Sequence, residues 1–228
     1  MMKIPISLLK TAGLLVLVAS PQSPTAIVED VKGSPPGIQV MDYVEPGKVI
    51  RLAPQQSIVL GYLRSCWHET IIGGTVTVGA ERSDVQDGMV MRSTVACEGS
   101  KMQLTAELAN KSGAMVLRNV PQDGRREALQ RPQFTLYGLS PVVEVRPGGL
   151  LTIERLDKPS ATYKVDLRSD RLARGAFLDL AHVDVTLEAG GIYLAQAGSD
   201  EIVFKIDRNA QPGETPIIGR LLRLQPAN

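Results

Sequence analysis

Tyr163-Lys164-Val165-Asp166-Leu167-Arg168 decides the fold class of this chain: its odd positions are apolar or aromatic and its even positions are charged. Successive side chains on a β-strand leave opposite faces, so such a segment puts one face in a core and the other in water. Val183-Asp184-Val185-Thr186-Leu187-Glu188 and Ile202-Val203-Phe204-Lys205-Ile206-Asp207 obey the same rule. Thr75-Val76-Thr77-Val78 adds a fourth run, built wholly from β-branched residues that suit a pleated surface. Val49-Ile50-Arg51-Leu52, Ile58-Val59-Leu60 and Met89-Val90-Met91 are shorter candidates.

Between these runs stand turn-forming residues. Pro46-Gly47, Gly73-Gly74, Asp87-Gly88, Pro147-Gly148-Gly149, Gly190-Gly191 and Pro212-Gly213 all read as breaks, the paired glycines as hairpin turns. Short strands at this spacing predict an all-β protein with two small antiparallel β-rich modules, each a sandwich or an open barrel. Helical signal is confined to a turn or two at Leu104 to Asn110 and another at Ala176 to Ala181. Ile217 to Leu224, introduced by Pro216, reads as the closing strand.

Working outward to the amino end, Lys3 and Lys10 precede an apolar run from Thr11 to Ala19 and a Ser/Pro/Thr-rich exit. A run of about ten residues is half of what a membrane-spanning helix needs, and behind positive charge it reads as a removed export signal. Residues 1–26 are therefore expected to be a signal peptide and 27–40 a flexible leader, with Pro35-Pro36-Gly37 in it. The first module spans 41–118. Residues 119–132 form a polar linker, with Arg118 beside it and Arg125, Arg126 and Arg131 within it. The second module spans 133–228. No transmembrane anchor is expected once the signal is gone, and the location is periplasmic or secreted.

Charge excludes one class of partner. The chain of 228 residues carries 25 Lys+Arg against 24 Asp+Glu, and loss of Lys3 and Lys10 leaves 23 against 24. So neutral a surface lacks the footprint of a nucleic-acid binder. The only two cysteines, Cys66 and Cys97, are expected to form one disulfide in an oxidising compartment. Closing a loop of about thirty residues is worth roughly 3–4 kcal/mol in the chain-entropy account.

Catalytic chemistry finds little to use. The chain has only two histidines, His68 and His182, and no Gly-x-Ser-x-Gly elbow. Cys66-Trp67-His68-Glu69 is the densest cluster of reactive side chains and contains the sole tryptophan. A copper or zinc centre drawing on Cys66, His68, Cys97 and His182 is the sharper reading, although the spacing fits no tight ligand loop and a disulfide would consume the thiolates. Glu69, Glu81, Asp84, Asp179 and Asp184 are scattered carboxylates that sequence alone cannot pair for glycosidase work.

Val49-Ile50-Arg51-Leu52 through Ile58-Val59-Leu60, followed by Gly74-Thr75-Val76-Thr77-Val78-Gly79, resembles FecR-type periplasmic β modules. The resemblance implies a periplasmic module of short strands and glycine turns. Signalling members of that family carry a cytoplasmic portion and a transmembrane helix ahead of the module, and this chain has a short leader there instead. Leu156-Asp157, Phe177-Leu178-Asp179-Leu180-Ala181 and Gly190-Gly191-Ile192-Tyr193 are similar to an Ig-like sandwich, a likeness of architecture.

The expectation is thus a non-enzymatic, cofactor-free binding or accessory protein of the envelope. Its partner would be another envelope protein or a cell-wall component, engaged by strand-edge pairing or an apolar loop surface. The alternative is a periplasmic metal or redox protein using Cys66, His68 and Cys97.

Overall fold

The computed structural model describes residues 23–99, 131–158, 162–214 and 216–226. The signal peptide up to residue 22, the helical turn at Leu104 to Asn110, and the linker with Arg118, Arg125 and Arg126 lie outside the described residues. Those that are described form an all-β protein with no α-helical element.

The first sheet holds β1 (Ala26–Lys32), β2 (Tyr43–Val44), β3 (Val49–Tyr62), β4 (Trp67–Thr77), β5 (Asp84–Gln86) and β6 (Met89–Thr94). Its order is β2-β1-β3-β4, and β4 carries both β5 and β6 along its far side. Val49-Leu52 and Ile58-Leu60 are the two ends of the single strand β3, whose register against β4 shifts between Leu52 and Ser57. Gly73-Gly74, expected as a hairpin turn, instead sits inside β4. Both glycines have positive φ, +64° and +81°, and a Cβ on Gly74 would collide with the Gln86 carbonyl and lie 2.6 Å from Gly88 N. Asp87, likewise at positive φ, faces them across the ladder, so β3, β4 and the β5–β6 edge bend at one level. Glycine here curls the sheet rather than reversing the chain.

The remaining strands are β7 (Phe134–Gly138), β8 (Val142–Glu144), β9 (Leu150–Arg155), β10 (Tyr163–Asp166), β11 (Phe177–Asp179), β12 (Ile192–Ala197), β13 (Asp200–Gln211), β14 (Leu221–Arg223) and β15 (Gln225–Pro226). They form one sheet of order β10-β9-β12-β13-β15, with β7 also on β13, and a second of order β11-β8-β14. Two pairings, β7 with β13 and β8 with β14, are parallel.

Three expected elements change form. Ala176 to Ala181 is not helical: it gives β11 and the start of a 3-10 turn, Leu180–Val183. Val183 to Glu188 makes no ladder, because Asp184 takes a left-handed backbone at φ +56° and Val185 N–H turns back to the Leu180 carbonyl. Its alternation survives only as burial, Val183, Val185 and Leu187 facing inward. Ile217 to Leu224 divides into a 3-10 turn, Ile217–Gly219, and the short β14.

Residues 27–40 are not a flexible leader. Ala26, Ile27 and Val28 are fully buried, since β1 stands between two cores. Ala26 and Val28 enter the core of the first sheet with Ile58, Leu60 and Ile71. Ile27 enters the other core, together with Met41 and Leu63, against Phe177, Ile217 and Ile218. The two halves therefore share a wall, and burial of apolar surface fastens them to one another.

Candidate functional site

Cys66-Trp67-His68-Glu69 lies at the start of β4. Cys66 and Cys97 are joined in a disulfide with Cα atoms 5.8 Å apart, tying the β3–β4 turn to the segment after β6. Both thiols are thereby consumed, so neither sulfur is a thiolate ligand in this state. Among the described residues no group of three or more His, Cys, Asp and Glu side chains converges as a metal site. His182 stands elsewhere, on the 3-10 turn after β11, exposed and 3.7 Å from Glu214.

The strand period sends His68 and Glu69 to opposite faces. Glu69 points inward and is wholly buried. It lies directly across from Arg92 of β6, whose Nε donates to Glu69 Oε1 at 2.6 Å. Ser83 N–H donates to Glu69 Oε2 at 3.1 Å, and Arg92 also donates to the Ser83 carbonyl at 2.7 Å. Ser83 Oγ shares a 2.8 Å bond with the Tyr62 hydroxyl, which burial pushes up to about 12. A buried carboxylate with this many partners is held in one geometry.

Above this network opens a cleft of about 450 Å³ lined by Thr77, Gly79, Arg82, Ser83, Asp84 and Arg92. Its chemistry is two guanidinium groups, two hydroxyls and one rim carboxylate. Arg92 is committed to Glu69, and the Ser83 hydroxyl to Tyr62.

His68 faces the seam between the halves. Its Nε2 lies 3.2 Å from Oε2 of Glu29. Glu29 occupies the break in register between Val28 and Asp30 of β1, a bulge that re-aims its carboxylate onto the seam. Its Oε1 accepts from Ile218 N–H at 2.9 Å, a bond spanning 189 residues of sequence. Gly61 makes room: a Cβ there would collide with Glu29 Oε1 and lie 2.5 Å from Ile218 Cγ2. The Glu29 carboxylate facing it raises the His68 pKa above its ordinary 6.5 against the opposing effect of burial.

A second polar cluster crosses the same seam. Tyr43 Oη donates to Glu144 Oε2 at 2.7 Å, and Arg223 Nε reaches both that oxygen, at 2.8 Å, and the tyrosine hydroxyl, at 2.9 Å. The Arg223 guanidinium carbon sits 4.5 Å from the centre of the Tyr43 ring. Burial raises the Tyr43 pKa well above its usual value. Further out, Arg174 pairs with Asp42 at 2.8 Å.

Of the other carboxylates, Asp179 is buried and bidentate to Arg220, at 2.7 and 2.8 Å, and also caps Ala181 N–H. Asp84 lines the cleft rim. Glu29, Tyr43, Glu144 and Arg223 are the residues sequence reasoning missed. One signal was present for Glu29, a carboxylate set directly behind the apolar run Ala26-Ile27-Val28.

No protein-family model, no curated protein and no solved structure matches this chain. No helix among the described residues is long and apolar enough to cross a membrane.

Proposed function

We propose that this chain is an exported, β-rich binding or accessory protein of the cell envelope that engages an extended segment of a partner along β6. One observation carries the reading. Among the described residues β6 pairs only with β4, and its Met89 and Met91 side chains are 61% and 54% exposed. An edge strand offers unpaired N–H and C=O groups, and proteins normally guard it with charge or proline. Edge strand β10 is guarded that way, with Lys164 and Asp166 pointing outward. The one charge on β6, Arg92, is bound to Glu69, and the strand presents two soft, adaptable thioethers, side chains suited to a partner's apolar residues. The disulfide and the short apolar leader support an oxidising destination. The resemblance to FecR-type modules points to the same compartment.

Site-specific photocrosslinking tests the reading. A photoreactive residue at Met91 is expected to capture an envelope component that the same residue at Lys164 does not. Equal capture from both positions, or none from Met91, would remove β6 as the docking edge. Thiol titration of denatured protein, with metal analysis, tests the chemistry beside it. Two free thiols or one equivalent of bound metal would favour a metal or redox role at Cys66, His68 and Cys97.

A further inference from the structure

We propose that Glu29 and His68 form a proton-operated latch across the seam: protonated His68 holds buried Glu29, and through it the Ile218 turn of the other half, and loss of that proton loosens the joint. The geometry leaves Glu29 dependent on a titratable partner. Its side chain is fully buried, its Oε1 accepts from the Ile218 amide, and among the described residues the one side chain that faces its Oε2 as an ion-pair partner is His68. Glu29 Oε2 and His68 Nε2 are both buried and hydrogen-bonded to no described residue, and they face one another at 3.2 Å as a charge pair when His68 is protonated. A buried carboxylate without a cation is costly.

Among the described residues no permanent cation takes that role. Opposite His68 on β3 is Gly61, and opposite it on β6 is Ser93. From the other half comes Ile218. Arg92 and Glu69 are bound to one another on the far face of the sheet. Arg220 is committed to Asp179, and Arg223 to Tyr43 and Glu144. The charge that answers Glu29 therefore comes and goes with protonation of the His68 ring, whose Nε2 is buried against Glu29 while the rest of the side chain, 21% exposed, meets water.

The direction follows from linkage. His68 binds its proton more tightly in the folded chain than in the unfolded chain. Its contribution is complete below about pH 6.5 and is lost as pH rises through the raised folded value. The device thus closes in mild acid and slackens in mild base.

The mature protein and two variants, His68→Gln and Glu29→Gln, give the test. With two histidines in the chain, the His68 ring resonance is assigned by its loss in His68→Gln and titrated by NMR. The expected result is a midpoint above 6.5 in the parent chain that falls in Glu29→Gln. The parent Tm is expected to drop by about 2–4 °C between pH 6 and pH 9, and the drop to vanish in His68→Gln. Hydrogen exchange at the Ile218 amide, corrected for intrinsic base catalysis, should speed up several-fold over the same range, with the amides of β4 unchanged. Ile218 protection independent of pH, or a His68 midpoint indifferent to Glu29→Gln, would overturn the proposal. Should His68→Gln fail to fold, the NMR titration in Glu29→Gln and the parent exchange data decide it. None of these readouts depends on the partner proposed for β6.

Discussion

Two buried carboxylates sit at neighbouring levels on opposite faces of one sheet, and they are answered differently. Glu69 meets Arg92, a permanent cation, plus the Ser83 amide. Glu29 meets His68, a cation only when protonated, plus the Ile218 amide. The permanent pair lies within the first sheet, where strands must keep their order. The conditional pair lies between the halves, where a joint can be adjusted. The same acid can thus be a fixture or a control, depending on the pKa of the side chain opposite.

Removing the permanent partner should hurt most. Arg92→Met leaves Glu69 buried and unanswered, and is expected to cost about 3 kcal/mol in urea unfolding. Adding Glu69→Leu should return part of that loss, since an apolar pair can replace a buried ion pair. A single variant no weaker than its parent would make the network ornamental.

Next comes the covalent tie. Cys97→Ser opens a bridge of sequence separation 31 and is expected to cost about 3 kcal/mol, read as the fall in Tm of the oxidised parent. Val95 and Cys97 also pack against the second core, so the loss should extend beyond the first sheet. An unchanged melting curve would show that packing alone holds this corner.

Gly61→Ala probes the conditional side. The added methyl would collide with Glu29 Oε1 and Ile218 Cγ2, both buried, so an overpacking cost of about 1–3 kcal/mol is expected. The same change should also lower the His68 midpoint by displacing Glu29. A loss of stability with the midpoint unmoved would separate the packing of the seam from its proton chemistry.

The smallest effect lies in acid. Arg155 holds the Asp157 carboxyl down at about 2 by hydrogen bonding. A lowered carboxylate gives stability that is present above about pH 4 and is lost as pH falls toward 2. Asp157→Asn should flatten that acid limb slightly and leave the range from pH 6 to 9 untouched. This is the mirror image of His68, whose contribution fades toward base.

How much of this was legible in the sequence depended on how many faces a strand buries. β10 and β13 were readable because one face largely meets water, so Val165 stands between Lys164 and Asp166 and Ile206 between Lys205 and Asp207, with buried Val203 breaking the β13 pattern. β1 was not, because Ala26, Ile27 and Val28 are buried on both sides and the period vanishes. β8 and β14 have the same difficulty, with Val142, Val143, Leu221 and Leu222 all buried in succession. Gly73-Gly74 misled because a glycine pair bends a strand as readily as it reverses one. At the site, His68 and Glu69 stood out together, and the strand period alone implied that they would separate. Arg92 across from Glu69 needed a register that no local pattern specifies. Tyr43, Glu144 and Arg223 lie 101, 79 and 180 residues apart pairwise, and only the folded chain assembles them.

The bond from Ile218 to Glu29 closes almost the entire length of the polypeptide. A ribosome releases β1 long before the segment that completes its surroundings has been made. Until Ile217 and Ile218 arrive, Ile27 has no lid and Glu29 no amide. Long-range closure of this kind is slow and leaves greasy surface bare in the interim. Shortening the chain by its last dozen residues would therefore strand the first strand as surely as deleting it.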